Sequence, residues 1–293
     1  MPTLTKTTWA HLALIAVAFL YGANYSIAKV ALAGNVVPPF GFIAIRVIGA
    51  GLIFTLVQKV VVNEKVARED WGRFVLCAIC GGGFNLMFFF KGLQITGAIN
   101  ASLITTLAPI LVIIISAIFI GEKITARKVL GIFIGAGGAI TLILYGKQAG
   151  ITNAWGDFFI FMNALIFAFY LVLVKTLTVK YHPFTIIRWV FTLGSLIVIP
   201  VAWSDLTTMQ WATYSPMIWG VIAYVVIGAT VLTYLFNTIA LSVVNPSVVS
   251  IYIYLQPLIA TGIALSFGAE TLPTVKIIAG LAIFIGVFLV SKK

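Results

Sequence analysis

Apolar blocks of about twenty residues, separated by short polar breaks, run the length of the 293-residue chain. That is the length a helix needs to cross a hydrocarbon core of about 30 Å. Ten blocks can be counted, at roughly 11–32, 39–62, 74–95, 97–119, 127–146, 156–178, 184–203, 216–242, 244–268 and 274–291, with ends good to a few residues. No polar stretch between them is long enough for a soluble domain. Charged residues make up 9% of the chain, against about 25% in soluble domains. Such a chain cannot cover a water-facing surface, and it reads as an all-α integral membrane protein with ten transmembrane helices. Ala31-Leu32-Ala33 looks like a signal-peptide cleavage site, but the block before it is too long and holds Asn24, Tyr25 and Lys29, so it is read as a retained first helix.

The formal net charge of +11 points to topology rather than to nucleic acid. Lys and Arg collect at cytoplasmic helix ends. With the N-terminus inside, most of the basic residues fall at inner ends, so both termini are expected to be cytoplasmic. Cys77 and Cys80 lie one helical turn apart inside an apolar block, where packing is the expected role and redox chemistry is not.

The chain repeats itself. Thr106-Leu107-Ala108-Pro109 precedes Gly121-Glu122 as Tyr254-Leu255-Gln256-Pro257 precedes Ala269-Glu270, all 148 residues apart. Lys128 meets Lys276 and Gly138 meets Gly286 at the same offset, while Trp9 and Lys29 match Trp155 and Lys175 at 146. Arg46 and Arg188 each follow a Pro-Phe pair. Duplication gives two units, 1–148 and 149–293. Five spans are an odd number, so the units are expected to enter the membrane in opposite directions, as inverted repeats do in many transporters.

These residues resemble the EamA-type members of the drug/metabolite transporter superfamily. The likeness rests on Pro109 to Gly138, Pro257 to Gly286 and the paired Arg46 and Arg188, and it extends over the whole chain. It implies a central cavity lined by spans 1, 3, 4, 6, 8 and 9, and export of amino acids or other small metabolites across the bacterial inner membrane. Pro273 in place of the Thr125 type of turn residue, and Ala279 in place of Gly131, are departures at helix entry.

Polar side chains at mid-span are the candidate substrate contacts: Asn24 and Tyr25 in span 1, Asn85 in span 3, Ser102 and Thr105 in span 4, Asn163 and Tyr170 in span 6, Tyr234 and Asn237 in span 8, and Ser250, Tyr254 and Gln256 in span 9. An amide facing lipid would be unsatisfied, so each faces a cavity or another helix, and both readings stay open for any one residue. Lys91 has two readings as well, a substrate carboxylate or snorkelling to the outer interface. Arg46 and Arg188 are expected to tie helix ends to carbonyls or lipid phosphates. Gly81-Gly82-Gly83 lets span 3 bend or approach a neighbour. Gly131 and Gly135 form a small-residue face, expected to pack within the monomer against span 10 and otherwise to support a homodimer. Glu122 and Glu270 sit at helix junctions, where capping or pairing with Lys123 or Arg127 is expected for Glu122.

All seven acidic residues lie in or next to loops. Proton-driven carriers use titratable groups at membrane depth, so facilitated transport is expected. No catalytic constellation, metal-ligand set or cofactor motif is visible. The partners expected are a small-molecule substrate and membrane lipid, with no nucleic acid, and the chain is expected to be a monomer or homodimer. The rival readings are a membrane-embedded enzyme, a non-transporting scaffold, or an exporter of nucleobase-like or drug-like compounds.

Overall fold

The computed structural model describes residues 5–32, 36–62, 64–95, 104–145, 153–256, 258–259, 262 and 274–291. Among them there are helices and no strands. We number the helices α1 (Lys6–Leu32), α2 (Pro39–Val61), α3 (71–95), α4 (Ala108–Ile120), α5 (Ala126–Tyr145), α6 (Ala154–Leu177), α7 (Pro183–Thr208), α8 (216–243), α9 (Pro246–Ile251) and α10 (Thr274–Ser291). Five of these stretches are long and apolar enough to cross a membrane: Pro39–Val61, Arg68–Gly92, Ala154–Leu177, Pro183–Thr208 and Pro216–Val243. Large apolar side chains such as Leu52, Phe133, Leu196 and Phe284 stand exposed on the outside. In a membrane that surface faces lipid.

Local chemistry sets the helix ends. Pro occupies the first helical position of α2, α7, α8 and α9, where its missing N–H costs nothing. The Asn153 side chain accepts from the Trp155 and Gly156 amides at the start of α6, and Ser215 accepts from Ile218 at the start of α8. Gly121 ends α4 at φ 65°, a left-handed conformation that glycine adopts without strain. Block four of the sequence is not continuous: a turn at 106–107 precedes α4, and Pro109 sits in its first turn.

Two helices depart from α geometry. α3 contains a π-helical stretch, Ala78–Gly83, and α8 contains another, Tyr224–Leu232. Their first residues are 146 positions apart, the offset already seen between Trp9 and Trp155. Such stretches are rare and often mark functional sites.

Packing pairs the helices across the chain. α2 runs antiparallel to α7. The Asp205 carboxylate near the end of α7 accepts from the Phe40 and Gly41 amides at the start of α2, at 3.0 and 3.1 Å. Phe54 stacks on Phe191 farther along, and Gln58 accepts from Arg188 at the other end. α5 and α10 are also antiparallel. A Cβ on Gly131 would stand 2.9 Å from the Gly286 carbonyl oxygen, and one on Gly138 would stand 2.7 Å from the Ala279 oxygen. The small-residue face of α5 therefore packs within the monomer, as expected. α1 lies on α8 and α3 lies on α6, while the π stretch of α8 crosses α2 and that of α3 crosses α7.

Candidate functional site

Where α1, α2, α3, α6 and α8 meet, the π stretches organise a buried cluster of cationic, hydroxyl and aromatic side chains. Arg46 of α2 is 5% exposed. Its Nε donates to Thr230 Oγ1 at 3.0 Å and its Nη2 to the Ala229 carbonyl oxygen at 3.3 Å. The guanidinium lies 5.9 Å from the centre of the Phe90 ring. Tyr21 of α1 sits beside Thr233 and within electrostatic reach of Arg46, as does Tyr234. Among the described residues no carboxylate pairs with Arg46; the ion pairs of Asp70 and Glu122 lie at helix ends.

Tyr234 reaches the other π stretch, donating its hydroxyl to the Gly81 carbonyl oxygen at 2.8 Å. Its ring stands 4.7 Å from Phe191 and 5.7 Å from Tyr170. Tyr170 fits because Gly81 has no side chain: a Cβ there would lie 2.3 Å from the ring. The Tyr170 hydroxyl is buried without a hydrogen-bond partner among the described residues, near Thr238 but not in bonding geometry with it. The Asn24 amide oxygen is likewise buried and has no partner among the described residues.

The remaining candidates divide. Asn85 donates to the Asn163 carbonyl oxygen at 3.2 Å and Asn163 to that of Asn85 at 2.9 Å, so the pair ties α3 to α6. Tyr254 donates to the Thr106 carbonyl oxygen at 3.0 Å, joining α9's continuation to the turn before α4. Ser250 donates to Ser247. Asn237 and Gln256 are buried, Thr105 is half-buried, and Lys91 is exposed near the end of α3. Ser102, Pro257, Glu270 and the Tyr25 side chain lie outside the described residues. Arg46, Tyr21, Thr230, Thr233 and Phe90 were not among the sequence candidates for substrate contact. The bond from Arg46 to a helix carbonyl was anticipated, but its depth in the interior was not.

A second polar region lies at the C-terminal end of α8. The Glu122 carboxylate accepts from Lys128 Nζ at 2.6 Å and from the Ser247 hydroxyl. Lys128 is a partner of Glu122 because the turn into α5 brings this first-turn lysine back over the glutamate. Lys175 Nζ donates to the Leu241 and Val244 carbonyl oxygens at 2.7 and 3.0 Å, closing the last turn of α8. An open vestibule of about 690 Å³ sits here, lined by Glu122, Lys123, Lys128, Lys175, Lys180 and Asn245 among others. Lys180, in the loop after α6, is held above the ordinary lysine range by its hydrogen bond to Asp70, so it stays charged at physiological pH.

Comparison with known proteins adds a family. The model of the EamA-like transporter family matches twice, over residues 8–144 and 154–292. The uncharacterized transporter YvbV of Bacillus subtilis (strain 168) is 26% identical over 301 residues, covering 100% of this chain and 94% of its own. The uncharacterized transporter YyaM of the same organism is 25% identical over 246 residues, covering 83% and 80%. The pseudopaline exporter CntI of Pseudomonas aeruginosa (strain UCBPP-PA14) is 22% identical over 247 residues, covering 84% and 83%. A solved crystal structure superposes with a TM-score of 0.79 at 19% identity, covering 96% of this chain and 95% of the other.

Proposed function

Because the chain belongs to the EamA-like transporter family, a family of multi-pass membrane transporters, we propose that it exports small metabolites, with amino acids as the substrate class, across the bacterial inner membrane. In this reading all ten helices are spans, both termini are cytoplasmic, and units 1–148 and 149–293 are inverted repeats that open alternately to either side. The antiparallel course of α2 on α7 and of α5 on α10 supports the inversion. So does reciprocity: Gly131 meets Gly286 while Gly138 meets Ala279, and 131 matches 279 at the offset that matches 138 to 286. Thr106 and Tyr254, also 148 apart, meet each other.

The observation that carries the reading is the buried Arg46–Tyr21–Tyr234–Tyr170 cluster held by two π stretches at matching positions. A polar cluster at the crossing of five helices is costly in a lipid-embedded protein unless it serves a ligand or a conformational change. Substrate contact is proposed for Asn24, Tyr170 and Tyr234 of the sequence candidates. Asn85 and Asn163 hold α3 to α6 in this conformation, and their amides become available when those helices part. The lysine-lined vestibule lies at the end assigned to the cytoplasm and would draw anionic groups toward the site. The described acidic residues sit at helix ends, which favours transport down the substrate gradient. No enzymatic step and no cofactor enter this mechanism.

Counterflow in proteoliposomes tests it. Vesicles loaded with unlabelled amino acid are expected to accumulate the labelled one transiently. Silence toward a full panel of amino acids would overturn the substrate class, and accumulation driven by a pH gradient alone would overturn the facilitated mechanism.

A further inference from the structure

We infer that Arg46 is the anchor for a carboxylate on the transported molecule, with Tyr21, Tyr170 and Tyr234 forming the wall around it. The inference rests on the transporter reading and names the chemistry its site recognises.

The alternative, that Arg46 is a structural knot between α2 and α8, is weakened by the state of its partners. Thr230 Oγ1 already donates to the Val225 carbonyl oxygen at 2.7 Å, and the Ala229 oxygen already accepts from Thr233 Oγ1 at 3.0 Å. Both groups are satisfied without Arg46. The guanidinium needs them more than they need it. It is a permanent cation, buried among helices, holding only neutral acceptors within the described residues. A charge so placed is poorly compensated, and an incoming carboxylate supplies both the opposite charge and the two-pronged acceptor that a guanidinium fits.

A second observation points to the same ligand. The Tyr170 hydroxyl, on a side chain 2% exposed, has no hydrogen-bond partner among the described residues. It is within electrostatic reach of Tyr21 and Tyr234, the two tyrosines that also reach Arg46. A buried hydroxyl left empty is an unusual loss of free energy. A carboxylate held on Arg46 brings an acceptor into this tyrosine wall, and the buried, mutually packed rings of Tyr170, Tyr234 and Phe191 make its surroundings apolar and aromatic. The ligand class is thus a small organic acid with an apolar or aromatic body, which includes neutral amino acids.

The test uses the full chain in proteoliposomes, with labelled L-phenylalanine as the counterflow probe. 3-Phenylpropionate, which keeps the carboxylate, is expected to compete. Phenylalaninamide, which lacks it, is expected not to. Arg46→Gln should lower uptake more than tenfold, Arg46→Lys should keep charge but lose the fork and fall between, and Tyr170→Phe should weaken competition by 3-phenylpropionate several-fold. Equal competition by the amide, or wild-type uptake in Arg46→Gln, overturns the inference. If Arg46→Gln does not fold, Arg46→Lys decides: unchanged affinity for 3-phenylpropionate overturns it. If wild-type protein moves no amino acid, the substrate class of the transporter reading fails, and thermal-shift binding of 3-phenylpropionate to detergent-purified protein decides the anchor. Stabilisation lost in Arg46→Lys sustains it, and no stabilisation, or stabilisation kept in that variant, overturns it.

Discussion

Two helix crossings hold matching places in the family's two repeats and are filled in different ways. In one, α7 meets the π stretch of α3 through Gly194 and Gly82, backbone against backbone: a Cβ on Gly82 would lie 2.7 Å from the Val190 carbonyl oxygen, and one on Gly194 would lie 2.9 Å from the Gly82 oxygen. In the other, α2 lays Gly49 against the Val226 side chain, 2.8 Å from where a Cβ would stand, and adds a buried arginine bonded to a threonine. Small residues let membrane helices approach closely and gain dispersion contact. A buried arginine instead places a charge and its hydrogen-bond donors inside the crossing. The same repeat thus yields a packed joint on one side and a chemically active one on the other.

The largest expected effect breaks the packed joint. Gly82→Val pushes two branched carbons into backbone that cannot move aside, a clash worth about 3 kcal/mol or more. Loss of the monodisperse peak in fluorescence-detected size exclusion is expected. A folded protein with wild-type thermal midpoint would show that the two crossings do not differ in kind.

Arg46→Met sharpens the other side. Replacing a poorly compensated buried charge by an apolar side chain of similar length is neutral or stabilising by about 1–4 kcal/mol. We expect a thermal midpoint equal to or above wild type together with a transport rate more than tenfold lower. A fall in the midpoint of many degrees would place Arg46 with the packing residues instead.

Tyr234→Phe is expected to act more gently. The tyrosine spans both crossings, lying near Arg46 and bonding the Gly81 carbonyl. Losing that bond costs about 1 kcal/mol, the usual net worth of a buried neutral hydrogen bond. A midpoint lower by a few degrees, with the rings still packed, is the outcome to look for in differential scanning fluorimetry.

Much of the fold was legible in the sequence because it depends on strong local signals. Apolar block length marks helices, five of them long and apolar enough to cross a membrane, Pro39, Pro183, Pro216 and Pro246 mark helix starts, and Gly131, Gly135 and Gly286 mark a close interface. The site was less legible for a physical reason. Hydropathy shows that Asn85 and Asn163 must face inward, but not that they would bond to each other's backbone. It gives Arg46 a depth only within a turn or two, and cannot say which neighbour supplies its acceptors. The π stretches pack against α2 and α7, contacts that are distant in sequence, and only the glycine triplet 81–83 hinted at one of them. Tyr21 and Thr230 carry no motif at all; they matter because α1, α2 and α8 converge.

The smallest effect is expected at the arginine that matches Arg46 in the second repeat. Arg188 also follows a Pro-Phe pair, yet its surroundings differ. It is half-buried near the start of α7, donates to Gln58 at the end of α2, and lies 4.7 Å from the Trp189 ring centre. Its Nε is buried without a partner among the described residues, so part of the guanidinium fork is unused there. Arg188→Lys keeps a cation on a flexible stem that can still reach Gln58 and the indole face, so about 0.5–1 kcal/mol of contact is at stake. We expect a thermal midpoint within a few degrees of wild type and unchanged counterflow. Arg46→Lys measured alongside should leave stability similar and reduce transport. If the two lysine variants behave alike in transport, the asymmetry between the crossings has no functional meaning, and the carboxylate anchor loses the feature that sets it apart from its counterpart.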